Sequence, residues 1–174
     1  VVNEGSAAIV LCNPKSPSNV GAVMRAAGCY SATAIYYTGT RFEHAAKYHL
    51  DTKNVNQKIP LRAVESVSEL ADEHQKLVCV ELAEGAIPLP EFSHPENALY
   101  IFGPEDGSID QSIVNVADSV VYVPTIGCMN LAASVNVLLY DRMAKQIDTI
   151  DHSERVKKSR DVNNRLVFKG SARV

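Results

Sequence analysis

Tryptophan is absent from this sequence, and aromatic residues make up only 6% of it. Carbohydrate clefts and single-strand platforms built on stacked rings need more aromatic surface than that, so neither reading suits the chain. Long apolar runs are missing too. Stretches such as Val116–Val123 are broken, here by Asp118, and fall far short of the roughly 20 residues that cross a bilayer. Residues 1–6 show no basic segment leading into an apolar run, so no secretory signal is expected. The four cysteines, at 12, 29, 79 and 128, form no Cys-x-x-Cys pair. Lacking ligand spacing, they read as thiols of a reducing cytoplasm, and no metal site is expected. The nine glycines accommodate neither G-x-G-x-x-G nor G-x-x-x-x-G-K-[ST]. That counts against Rossmann dehydrogenases, Rossmann-type methyltransferases and P-loop NTPases.

At 174 residues the chain is long enough for one well-buried core and short for two. Its 46% hydrophobic and 21% charged residues are ordinary for a globular protein. The charge is uneven. From Asp151 onward seven Lys/Arg face three Asp/Glu, a net +4, so the preceding residues hold −7 within the overall −3. A basic appendage on an acidic body is either an RNA contact or a solvated tail, and charge alone does not choose. The expected organisation is one domain over residues 1–150 and a basic tail over 151–174.

Short apolar runs alternate with segments of helical period. Strands are expected at Ala7–Cys12, Thr33–Tyr37, Leu77–Leu82, Ala98–Phe102 and Ser119–Val123. Helices are expected at Asn19–Cys29, capped near Ser18 or Asn19, at Val67–Glu73, at Ile109–Ala117 and from Asn130 to Gln146, with a short one around Glu43–Tyr48. This alternation implies an α/β fold with a parallel sheet flanked by helices. Ligands of such sheets bind at the carboxyl ends of the strands, which directs attention to the loops after Cys12, Phe102 and Val123.

Three segments occupy those loops. The first is Asn13-Pro14-Lys15-Ser16-Pro17-Ser18-Asn19-Val20-Gly21-Ala22-Val23-Met24-Arg25. Gly21 within a helix costs up to about 1 kcal/mol against alanine, which suggests a close approach there. Taken alone, Asn19 is equally a helix cap and Arg25 the partner of a surface carboxylate. The second, Phe102-Gly103-Pro104-Glu105-Asp106-Gly107, is a rigid turn whose acids are either ligand acceptors or simply solvated. The third runs Val123-Pro124-Thr125-Ile126-Gly127-Cys128-Met129-Asn130-Leu131-Ala132, where Asn130 is again a possible cap.

In this order the three segments resemble the motifs of the SpoU (TrmH-like) branch of the SPOUT RNA methyltransferases: Asn-x-Gly-x-x-x-Arg, Phe-Gly-Pro-Glu-x-Gly, and a Pro-anchored loop running into Asn130 and on to Leu-Tyr-Asp at 139–141. The likeness spans about Ala7 to Arg142. It implies a parallel sheet whose C-terminal segment makes a deep trefoil knot, an exception to the rule against threading. It also implies a homodimer that transfers methyl from S-adenosylmethionine to an RNA ribose 2′-hydroxyl; the compact chain slightly favours tRNA over rRNA, and the thiols and missing export signal point to the cytoplasm.

By the same resemblance Phe102, Gly103, Val123, Pro124, Cys128, Met129 and Leu131 would hold the cofactor, and Arg25, Asn19, Glu105 and Asn130 would form the catalytic group. Arg25 would sit at the substrate hydroxyl and its phosphate, with Glu105 orienting it. Apart from the resemblance, Lys15 by its loop position is either a phosphate contact or a solvated lysine, and Arg155, Lys157 and Lys158 of the basic tail would join Arg25 in touching RNA. Where relatives commonly read Ser-x-Asn-x-Ser, this chain has Cys128 and Ala132, the feature that keeps a non-catalytic knotted RNA-binding protein as the alternative. His44 and His49, without a third partner, are expected to be surface residues.

Overall fold

Neither Ala-Ala-Ile-Val-Leu nor Ala-Leu-Tyr-Ile-Phe alternates between apolar and polar residues, the mark of strands covered on both faces. In the computed structural model, which describes residues 5–46, 59–72, 75–146 and 152–168, they form β1 (Ala7–Leu11) and β6 (Ala98–Phe102). Both are buried at every position and pair in parallel, Ile9 opposite Tyr100. Around them lie β2 (Ala34–Tyr37), β3 (Leu61–Ala63), β4 (Lys76–Val80), β5 (Ile87–Pro88) and β7 (Ser119–Tyr122). The strands form one parallel sheet in the order β3-β2-β1-β6-β4-β7-β5. The chain builds outward from β1 through β2 to β3, then crosses to the other half. The loops after β1, β6, β4 and β7 are therefore neighbours at the edge where the direction of winding reverses, the place where such sheets bind ligands.

Strand pleating divides the core. Ile9, Leu11, Tyr100, Phe102, Val78 and Val121 face helices α1 (Pro17–Cys29) and α4 (Leu131–Gln146), which contribute Val20, Val23, Met24, Val135, Leu138 and Leu139. Ala8, Val10, Leu99, Ile101 and Cys79 point the other way, toward Ile109, the 3₁₀ turn Val67–Leu70 and α3 (Gln111–Val116). Two shorter helices are α2 (Arg41–Ala46) and α5 (His152–Ser159).

Several expectations need correcting. Five strands become seven, because β3 and β5 are three and two residues long and too short to show a period. The expected Val67–Glu73 helix is a single 3₁₀ turn ending at Leu70, with Glu73 outside the described residues. The short helix expected around Glu43–Tyr48 begins at Arg41 and is described to Ala46; Lys47, Tyr48 and His49 lie outside the described residues. α1 starts two residues early, at Pro17, with Ser16 as its cap: the fixed φ of proline suits the first helical position. At its other end Ser31 adopts a left-handed φ of 57°, the conformation that glycine would take without strain.

At the sheet edge opposite the ligand side, α4 is pinned by a buried polar cluster. Arg142, only 5% exposed, donates to the carbonyls of Pro95 and Glu96, each at 2.6 Å, and to the Tyr100 hydroxyl at 3.0 Å. Tyr100 meets His94 Nδ1 at 2.7 Å, and His94 Nε2 meets Asp141 at 2.9 Å. Asp141 also pairs with Lys145, which donates to the carbonyls of Leu89 and Phe92. With Asp141 accepting, a neutral His94 carries its proton on Nε2 and takes the Tyr100 hydroxyl on Nδ1.

Burial lowers the pKa of His94, and the positive charges of Arg142 and Lys145 add to the shift against the pull of Asp141. The unfolded chain therefore binds a proton more readily than the native one. The resulting stability is fully present above pH 6.5, the ordinary value, and declines as pH falls below it toward the depressed native pKa. Urea midpoints at pH 5.5 and 7.5 are expected to differ in that sense, with a smaller difference in His94→Gln.

Candidate active site

The loop after β1 is held open by left-handed backbone. Asn13 has φ 44°, a conformation its short amide side chain tolerates. It packs against Gly39 (φ 74°), where any Cβ would collide with the Asn13 side-chain oxygen. Arg41, from α2, then staples the loop. Its Nε and Nη2 donate to the Asn13 carbonyl at 3.1 and 2.6 Å, and Nη1 bridges both oxygens of Asp106 at 2.9 and 3.0 Å. Hydrogen bonds from Arg41 lower the Asp106 pKa, with the charges of Arg41 and Lys15 adding to the effect. Replacing Arg41 with alanine is expected to change global stability little, since the ion pair is half exposed. Amide exchange at Lys15 and Ser16 should quicken more than elsewhere in the sheet.

Glu105 joins the same loop to the turn after β6. Its carboxylate accepts the backbone N–H groups of Lys15 at 2.8 Å and Ser16 at 3.1 Å, and the Asn19 side-chain amide at 3.1 Å. Partial burial raises the pKa of this carboxyl, but the donors outweigh it and the net shift is downward. Asn19 passes the chain on: its Oδ1 accepts from Asn130 Nδ2 at 3.0 Å. Asn130 Oδ1 in turn accepts the Ala132 N–H at 2.8 Å, capping α4. Because Ser16 caps α1, Asn19 sits inside the helix with its side chain free for this relay. One continuous path, Glu105–Asn19–Asn130, thus links all three motif loops.

Beside it lies a cavity of about 410 Å³ at the ends of β4, β6 and β7. Phe102, Gly103, Val123, Cys128, Met129 and Leu131 line it, as does Glu105; Pro124 does not. Gly103 permits the tight turn, since a Cβ there would lie 3.1 Å from the Ile109 nitrogen and 3.2 Å from the Glu81 carboxylate. Glu81 and Glu105 are the charged residues of the wall, with no lysine, arginine or histidine among its residues. Such a space suits a nucleoside with hydroxyl donors or positive charge and disfavours phosphate.

Other expected site residues stand apart. Arg25 is exposed on α1 and makes no hydrogen bond or ion pair among the described residues; the partners of Glu105 do not include it. Among the described residues, a Cβ added at Gly21 would meet nothing within 4 Å outside its own helix. The Lys15 ammonium is well exposed and only 3.8 Å from Asp106, while its backbone serves Glu105. On α5, Arg155 touches Met143, Lys158 pairs with Glu154, and Lys157 is exposed. His44 is exposed, and His49 lies outside the described residues. The sequence reading missed Arg41, Asp106, Ser16 and Glu81. Among the described residues no three His, Cys, Asp or Glu side chains are placed to hold a metal ion, and no helix is long and apolar enough to cross a membrane. The four cysteines are unpaired.

A parallel sheet with a cavity at the carboxyl ends of its central strands, bordered by the Glu105–Asn19–Asn130 path, has the layout of an α/β protein that binds a small ligand there. The chain belongs to the SpoU rRNA Methylase family, whose model matches residues 6–140. Among solved structures, it resembles the SpoU methyltransferase AviRb from Streptomyces viridochromogenes, determined in complex with AdoMet: TM-score 0.71, 20% identity, covering 85% of this chain and 60% of that one. It resembles the rRNA methyltransferase from Sinorhizobium meliloti with TM-score 0.69 and 18% identity, covering 83% and 57%. For the A. aeolicus TrmH/SpoU tRNA modifying enzyme the values are 0.70 and 18%, covering 83% and 78%. The chain thus spans little more than half the length of the first two. No curated protein matches the sequence.

Proposed function

We propose that this chain is an S-adenosylmethionine-dependent RNA methyltransferase acting on a ribose 2′-hydroxyl, with a methyltransferase domain to about residue 150, a basic tail beyond it, and a homodimer as the working unit. The observation that carries the reading is the Glu105–Asn19–Asn130 path, which gathers three sequence-distant motifs at the rim of one cavity. The residues of the wall fit the cofactor: apolar and backbone surface from Phe102, Gly103, Val123, Met129 and Leu131 for the adenosine, with carboxylates in place of cations.

The cofactor supplies a methyl group already activated on sulfur, so the protein's task is alignment and charge. Arg25 is uncommitted among the described residues, and a guanidinium is too weak an acid to serve as a simple base. Its planar fork would instead bind the phosphate beside the target ribose and stabilise the developing alkoxide, with a phosphate oxygen or water taking the proton. Glu105 and the two asparagines order the loops that border the cavity. Equilibrium binding with labelled S-adenosylmethionine tests the cavity: saturable binding that excess ATP leaves intact is expected, and equal displacement by ATP would contradict its chemistry.

The exposed helix α5, with Arg155, Lys157 and Lys158, supports RNA contact by the tail. Truncation after Asp151 is expected to weaken RNA binding and to flatten its dependence on salt by about one unit of slope per lost phosphate contact. Filter binding at several salt concentrations measures both.

A further inference from the structure

The two acids of the cavity wall are differently committed. Glu105 is taken up by three donors at the rim. Glu81, the residue following β4, receives one N–H on each oxygen, from Leu82 at 2.9 Å and from Ile109 at 3.0 Å. A carboxylate offers about four lone-pair sites, so each Glu81 oxygen retains one. No cation among the described residues pairs with it, and no other wall residue brings positive charge. The two N–H bonds hold it in place against the turn at Gly103. A fixed, unpaired anion on the wall of a cavity is a recognition element for a cationic ligand.

We propose that Glu81 recognises the positive sulfur of S-adenosylmethionine and makes the cavity prefer that form over the demethylated product. The inference rests on the cofactor reading given above. When the methyl group passes to the ribose oxygen, the carbon–sulfur bond breaks and its electron pair stays on sulfur. A carbon–oxygen bond forms and the hydroxyl proton leaves to phosphate or water. Glu81 therefore faces a full positive charge before transfer and an uncharged thioether after it. Its attraction is present while the methyl group remains and absent once it has gone, which favours release of the product. Glu81 is a specificity residue in this account and takes no part in bond making.

Calorimetric titration of the intact chain with S-adenosylmethionine and S-adenosylhomocysteine is the test. Glu81→Gln, which keeps the shape and removes the charge, is expected to weaken S-adenosylmethionine by about tenfold and the homocysteine form by less than about twofold, as expected for an ion pair at few-ångström range in a partly solvated site. Equal losses for both ligands would reduce Glu81 to a strut for Leu82 and Ile109 and overturn the proposal, as would no loss for either. Glu81→Asp, which retains the charge but pulls it back, covers the case in which the glutamine variant fails to fold: the preference should shrink, and an unchanged ratio overturns the idea. Wild type that binds neither ligand would instead remove the cofactor reading beneath it.

Discussion

Arg142→Ala is expected to destabilise the protein by about 3–5 kcal/mol, lowering the thermal midpoint by roughly 10 °C. The side chain is 5% exposed and serves three acceptors: the carbonyls of Pro95 and Glu96 and the hydroxyl of Tyr100. Truncation leaves the Tyr100 hydroxyl without its donor in a buried site and the two carbonyls without theirs in part-buried ones, and each orphaned acceptor costs about 1–3 kcal/mol, less whatever water recovers. The loss also spreads. Tyr100 donates to His94 and His94 to Asp141, so the cluster joining α4 to residues 89–100 loses its anchor. Arg142→Lys keeps the charge but cannot span two carbonyls and a phenol, and should recover less than half. Urea unfolding of the three proteins measures this. A loss under about 1 kcal/mol for the alanine variant would mean that α4 is held by its apolar face alone.

The second large effect is on catalysis. Glu105→Ala is expected to lower methyl transfer by about 100-fold while costing only about 1 kcal/mol in stability. The carboxylate is exposed at the rim, so little packing is lost, and water can reach the freed N–H groups of Lys15 and Ser16. What disappears is the link that sets Asn19, and through it Asn130, relative to the β6 turn. Glu105→Gln should fall between, because an amide oxygen replaces one acceptor and an NH₂ opposes another donor. The native carboxyl has a depressed pKa, so its contribution is complete above the ordinary 4.5 and lost only as pH falls below that value. Activity above pH 5 should therefore not track Glu105. A Glu105→Ala protein of near-normal turnover would show the relay to be structural decoration.

What the sequence disclosed and what it hid follow from the range of the interactions. β1 and β6 were legible because doubly covered strands are apolar throughout. The motif residues were legible because their order and loop positions resemble a family. Their pairing was not: that Asn19 would bridge Glu105 and Asn130 depends on Ser16 capping α1, and the cap was expected two or three residues later. Glu105 was expected to orient Arg25, yet its donors are the backbone of Lys15 and Ser16 and the Asn19 amide. Arg41 carries no motif; its partners Asn13 and Asp106 lie 28 and 65 residues away and meet it only through the sheet. The anchoring of α4 used mostly backbone carbonyls of residues 89–96, which no side-chain pattern reveals. The knot rests on the family resemblance, because threading leaves no local signature.

The most direct test of the central claim is transfer of labelled methyl from S-adenosylmethionine to unmodified total tRNA and, separately, rRNA, with wild type beside Arg25→Ala and digestion to nucleosides. Label on ribose in one of the pools is expected, reduced by about 100-fold or more when Arg25 is removed. Label on a base, or ribose methylation that persists unchanged in Arg25→Ala, would contradict it.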